Sequence, residues 1–162
     1  IAIMGFSAGA QLASLIAQKP QIDKFYESPG SLNNLSRINA LINLDGIMAF
    51  IHKESGEGDD SKKKSAATLW FGYDRLQNPS LWKEASPLTY AGKNSPPTLF
   101  INSSVDRMHA GRKDYTDTLD KYGIYHEIYE IGDAPHSFVF FNPWFEKTVS
   151  YIHRFLVKVG QD

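Results

Sequence analysis

Cysteine is absent from the 162 residues, which rules out disulfides, thiolate metal sites and a cysteine nucleophile. The compartment stays open, because exported bacterial proteins often lack cysteine as well. A charge imbalance is also missing: 17 basic and 18 acidic side chains leave a formal net charge of -1. No long-range field therefore gathers nucleic acid or anionic lipid, so neither a nucleic-acid nor a membrane partner is expected, and a substrate has to be recognised locally. No apolar run approaches the roughly 18 residues of a membrane-spanning helix, and the first residues do not show the basic start and cleavage region of a signal peptide. Internal repeats are not visible.

What is present is 42% hydrophobic residues in a chain the size of one domain, enough to bury a sizeable core. Ile1 to Met4 reads as a short buried strand, and Ala10, Leu12, Ala13, Leu15, Ile16 and Ala17 trace a helix face ending before Pro20. Residues 20–37, with Pro20, Pro29, Gly30 and paired asparagines, read as a loop with at most a short helix. Ile38 to Leu44 is a second apolar run closed by Asp45-Gly46.

Residues 49–97 carry no strand pattern and read as an irregular helical insertion, with short tryptophan-bearing helices at Ala66 to Tyr73 and Pro79 to Ala85. Its Lys62 to Lys64 run follows Glu57, Asp59 and Asp60 closely, so it reads as a solvated loop and not as a basic patch. Regularity returns with the strand Thr98 to Asn102, a helix from Ala110 to Tyr122, the strand Tyr125 to Ile131 and a last helix from Pro143 to Val159. Strands alternating with helices at these spacings imply an α/β fold, a mainly parallel sheet flanked by helices on both faces.

The stretch between the first strand and the first helix is Gly5-Phe6-Ser7-Ala8-Gly9. G-x-S-x-G in that setting is a nucleophile elbow: the flanking glycines leave room for a tight turn that strains the serine backbone and lifts its hydroxyl clear of the sheet. A serine hydroxyl needs a base in reach, a group orienting that base and donors for the oxyanion. Of five histidines, His136 lies in a glycine- and proline-containing loop between the last strand and the last helix, whereas His126 falls in a strand, His153 in a helix and His52 at the start of the insertion. His109 suits a cleft-lining role better than that of base. The orienting acid is expected at a strand's carboxyl end. Asp106, after the third strand, leads; Asp45, which closes the second, is its rival; Asp114 lies inside a helix and Asp133 three residues from His136.

With Ser7, Asp106 and His136 in that chain order, the sequence resembles the α/β-hydrolases. Within them, LINLDGIMAFIHKESGEG, LWKEASPLTY, PPTLFINSS and APHSFVFFNPWF resemble the bacterial esterases that remove acetyl or feruloyl groups from plant cell-wall polysaccharides. The resemblance implies hydrolysis of a small ester or acylated carbohydrate through an acyl-enzyme, with no cofactor and no metal, and an oxyanion hole formed partly by the N–H of Ala8. The loop SSVDRMHAG lacks the family's glycine-containing lead into the aspartate, which keeps Asp45 in contention. These hydrolases also place about four strands and an HGGG-type loop before the elbow, so residues 1–162 are expected to be the C-terminal half of the fold. The edge of the first strand would then be open to pairing with another copy. A prolyl-oligopeptidase-type serine peptidase domain is the alternative enzyme, and a catalytically inert fragment the non-enzymatic one.

Overall fold

The computed structural model describes residues 1–18 and 38–160; the loop expected over 20–37 lies outside the described residues. Strands β1 (Ala2–Phe6), β2 (Ala40–Leu44), β3 (Thr98–Asn102) and β4 (His126–Glu130) form one sheet in sequence order. Every pairing is parallel: Phe6 lies beside Leu44, Leu44 beside Ile101, and Ile101 beside Tyr129. Helices α1 (Ala8–Ala17), α4 (Arg112–Lys121) and α5 (Trp144–Val159) are the three long ones, and α2 (Ala66–Phe71) and α3 (Pro79–Glu84) lie between β2 and β3. Among the described residues no helix is long and apolar enough to cross a membrane.

The central strands β2 and β3 are buried at every position, as expected for a parallel sheet covered on both faces. Alternate residues face opposite layers. Ala40, Ile42, Leu44, Leu99 and Ile101 pack with Phe138 and with Phe155 of α5. On the other face, Leu41 meets Ala13 and Ala17 of α1, and Phe100 meets Tyr115 and Leu119 of α4.

A fourth cluster holds the region between β2 and β3 onto this frame: Ile47, Phe50, Ala67, Trp82, Met108 and Ala110. Here the two short helices divide their tryptophans. Trp82 is fully buried, and its indole N–H donates to the Tyr73 carbonyl at 3.0 Å; Trp70 is 64% exposed. Each helix has a local start signal, Ser65 accepting from the Thr68 N–H and Asn78 from the Leu81 N–H. The lysines at 62–64 are exposed, and the Asp59 and Asp60 carboxylates beside them accept from the Ser61 and Ser65 N–H groups.

Candidate active site

The sheet register brings the carboxyl ends of β1 and β2 together, because Phe6 and Leu44 are partners. The residue after each, Ser7 and Asp45, has a left-handed backbone with φ 55°, and these are the positive-φ residues other than glycine among those described. A non-glycine residue held there carries strain that persists only where its surroundings enforce it. At Ser7 the enforcement is visible: its N–H donates to the Leu44 carbonyl at 2.9 Å, and its own carbonyl accepts from Ala10 and Gln11 as α1 begins.

The two glycines of the elbow are not equivalent. A Cβ on Gly5 would lie 2.1 Å from the Gly9 carbonyl oxygen, so the strand can pass the helix start only without a side chain. A Cβ on Gly9 would meet nothing within 4 Å among the described residues. Gly46 does for the second turn what Gly5 does for the first, since a Cβ there would be 2.4 Å from Cβ of Ala10. The Asp45-Gly46 turn is thus pressed against the first turn of α1.

Ser7 Oγ–H donates to Nε2 of His136 at 2.9 Å, and Nδ1–H of His136 donates to Oδ2 of Asp45 at 2.7 Å. The imidazole, with about a third of its side chain exposed, lies against the Phe6 ring at a centroid distance of 4.9 Å. Asp45 is fully buried. Its Oδ1 accepts from the Ser103 N–H at 2.9 Å and from Nδ2 of Asn102 at 3.2 Å, and its Oδ2 also accepts from the Ser103 hydroxyl at 2.5 Å. Donors thus meet both oxygens of this buried carboxylate, which is what the burial of a polar group requires.

The sequence expectation that Asp106 contacts His136 is corrected here: the carboxylate on the imidazole is Asp45. Immediately after β3 the chain is committed to other partners, Ser103 to Asp45 and Ser104, through both N–H and hydroxyl, to the Ala134 carbonyl. The next residues turn away as a 3-10 helix, Asp106–His109, whose buried residue is Met108. Asp106 consequently faces a different cleft, shared with Glu54, His109, Arg112 and Lys113. His109 lines that cleft too, its Nε2–H donating to the Ser103 carbonyl at 3.0 Å. His52 pairs with Glu54 and Asp114, and His126 with Asp120.

Several polar residues that hold this arrangement were not singled out by sequence. Asn102 is one: its Oδ1 accepts from Arg112 at 2.8 Å, which turns its Nδ2 toward Asp45, and Arg112 is itself anchored on Glu130. That guanidinium holds the Glu130 carboxyl below its ordinary range. Asn43 is another, accepting the Gly46 N–H at 2.8 Å and donating to Ser14, so it braces the Asp45 turn from within β2. The available signal was an asparagine inside an apolar strand, where a buried amide has to be matched by partners.

Ala8, exposed at the first position of α1, has an N–H with no acceptor inside the helix, whereas Ala10 and Gln11 donate to Ser7. Beside it opens a cleft of about 310 Å³ whose lining includes Ser7, Ala8, Gln11, Ile47, Phe50 and Trp70. Met108 and the Glu57–Arg107 ion pair line it as well, and His136 does not.

The BD-FAE family model matches residues 1–112, more than two thirds of the chain. The chain belongs to the BD-FAE family. No curated protein sequence matches it significantly. Among solved structures, the chain superposes on an esterase of the planctomycete Thermogutta terrifontis in its butyrate-bound form, with TM-score 0.68, 20% identity and coverage of 97% of this chain and 55% of that one. A truncated carbohydrate esterase from gut microbiota gives TM-score 0.68 at 18% identity, covering 96% of this chain and 59% of that one. An acylaminoacyl peptidase of Pyrococcus horikoshii gives TM-score 0.61 at 20% identity, covering 96% of this chain and 23% of that one. The fold of this BD-FAE chain is therefore that of the α/β-hydrolases, and the chain spans little more than half the length of the esterases it matches.

Proposed function

We propose that the protein is a serine carboxylesterase that hydrolyses short acyl esters of carbohydrates through Ser7, His136 and Asp45. The observation that carries this reading is the pair of hydrogen bonds from Ser7 to His136 and from His136 to Asp45 at the strained ends of two adjacent strands. In the proposed reaction Ser7 Oγ adds to the ester carbonyl carbon as its proton passes to Nε2 of His136. Asp45 keeps Nδ1 protonated, so Nε2 is free to act as base, and it stabilises the imidazolium that forms. The N–H of Ala8 donates to the developing oxyanion. The intermediate then expels the alcohol, which takes the proton from Nε2, and a water activated by the same nitrogen releases the acid.

The two sides of Ser7 differ in a way that supports this assignment. The leaving alcohol has to lie at His136, since it takes its proton there, and so the cleft that touches Ser7 and Ala8 without His136 suits the acyl group. Its volume is near the lower limit of about 300 Å³ for small-molecule pockets and favours short acyl chains. The Thermogutta terrifontis neighbour, bound to butyrate, points the same way. Phe140, 66% exposed, stands edge-on to Phe6, the ring that also lies against His136, and Phe141 is 55% exposed. Exposed aromatic faces beside the leaving-group position suit a sugar ring, in line with the carbohydrate esterase neighbour.

The test is turnover of p-nitrophenyl acetate and of an acetylated xylo-oligosaccharide. Ser7→Ala is expected to lower kcat by at least about 10⁴-fold; a mutant as active as the parent overturns the proposal. Faster cleavage of acyl-amino-acid anilides than of esters would replace it with the peptidase reading.

A further inference from the structure

We infer that Gln11 is a specificity-determining residue, its Oε1 receiving a hydrogen bond from a hydroxyl carried on the acyl chain of the substrate. The inference rests on the esterase reading above and names the kind of acyl group that reading leaves open.

Gln11 is one helical turn beyond Ser7, 2% exposed, and part of the wall of the acyl cleft. Its amide has only one workable orientation. The side chain meets the Ala85 carbonyl at 2.6 Å, and because a carbonyl can only accept, Nε2 must be the atom turned toward it. That leaves Oε1, an acceptor, buried without a hydrogen-bond partner among the described residues.

Buried acceptors are nearly always paired, and the wall of the cleft does not pair this one. Ser7 donates to His136 and Arg107 to Glu57. Ile47, Phe50, Ala66, Ala67 and Met108 have no side-chain donor, and the Trp70 indole N–H, the other side-chain donor of the wall, does not reach Oε1. Oε1 is buried, so a ligand hydroxyl meets it where the bound ester displaces the side chains that cover it, and the bond then replaces an unpaired acceptor. The hydroxyl belongs to the acyl group and not to the sugar, because the alcohol leaves on the His136 side. A site with an acceptor waiting for a hydroxyl discriminates against the ester that lacks one, because the acceptor then stays unpaired in the complex.

The experiment compares methyl butyrate with methyl 2-hydroxybutyrate and methyl 3-hydroxybutyrate, in the parent protein and in Gln11→Met. Each kcat/KM is divided by the rate constant for hydroxide-catalysed hydrolysis of the same ester, which removes intrinsic reactivity. One hydroxy ester is expected to exceed methyl butyrate by about 10- to 100-fold in the parent, and the ratio should collapse to within about threefold of unity in Gln11→Met. A parent ratio at or below one for both hydroxy esters overturns the inference, as does a full preference retained in Gln11→Met. If Gln11→Met does not fold, the parent ratio alone decides. Should no ester be turned over, the esterase reading fails, and NMR titration of the parent with methyl 3-hydroxybutyrate, methyl 2-hydroxybutyrate and methyl butyrate still tests the acceptor. Tighter binding of a hydroxy ester supports it, and equal binding of all three refutes it.

Discussion

Replacing Asp45 by asparagine should disable the protein, whereas the same change at Asp106 should not. Asp45 accepts four hydrogen bonds, and they do not tolerate an amide equally. At the Oδ1 position both donors, the Ser103 N–H and Nδ2 of Asn102, are fixed, the first by the backbone and the second by Arg112 on the other end of the Asn102 amide. An NH₂ group there would face two donors, so the asparagine oxygen must take that place. The NH₂ then occupies the Oδ2 position, where the Ser103 hydroxyl can rotate to accept from it but His136 cannot keep a proton on Nδ1 facing it. The imidazole is driven to the tautomer protonated at Nε2, which has no lone pair for the Ser7 proton. An aspartate-to-asparagine change with this consequence costs about 10⁴ in kcat, which at 1.36 kcal/mol per decade is about 5.5 kcal/mol of barrier. Asp106 touches neither His136 nor Asp45 and faces another cleft, so Asp106→Asn should stay within about threefold of the parent, in the range of a surface change. Initial rates on p-nitrophenyl acetate, with circular dichroism to confirm folding, provide the assay. A collapse of kcat in Asp106→Asn with near-normal turnover in Asp45→Asn would refute the reasoning.

Two further expectations concern the scaffold. Gly5→Ala places Cβ 2.1 Å from the Gly9 carbonyl oxygen, a backbone atom that cannot swing aside, and should lower the thermal midpoint by several degrees or prevent folding. Gly9→Ala meets nothing within 4 Å among the described residues and should stabilise α1 by up to about 1 kcal/mol; equal losses in the two variants would contradict the packing at the elbow. Tyr115 is fully buried between β3 and α4, where burial pushes its hydroxyl above the ordinary value of 10.0. The folded chain then keeps a proton that the unfolded chain gives up, so this contribution is complete below pH ~10 and is lost as pH rises toward the folded value, at no more than about 1.36 kcal/mol per pH unit. Urea titrations from pH 8 to 11 should show a steeper alkaline loss in the parent than in Tyr115→Phe, and parallel slopes would dismiss the effect.

The elements that could be read from sequence are those specified by neighbours along the chain. Apolar runs at Ala40 to Leu44 and Thr98 to Asn102 appear as buried strands, and the helix expected before Gly123 ends at Lys121, with Gly123 itself at φ 63°. The elbow was legible for the same reason, since the strand, turn and helix around Ser7 are consecutive. The two helices between β2 and β3 were also visible, but not which tryptophan points inward. Trp82 and Trp70 sit in short helices of similar composition, and the Phe50–Met108 cluster, assembled from four separate segments, decides that Trp82 is core.

The acid residue marks the division most clearly. Asp45 and Asp106 both follow a strand, and apart from the missing glycine ahead of Asp106 nothing within a few residues of either distinguishes a partner of His136 from a bystander. What distinguishes them is register. Leu44 lies beside Phe6, so Asp45 emerges next to Ser7, while Ser103 and Ser104 fill the space after β3 and carry Asp106 past it. Sequence alone determined the strands, the helices, the strained serine and the histidine loop, because backbone preference and hydrophobic period act over a few residues. Tertiary structure decided which carboxylate accepts from His136, which tryptophan is core and where the Gln11 amide is buried, because a hydrogen bond of 2.7 Å between residues 91 apart depends on how the strands are ordered and how their ends are aligned.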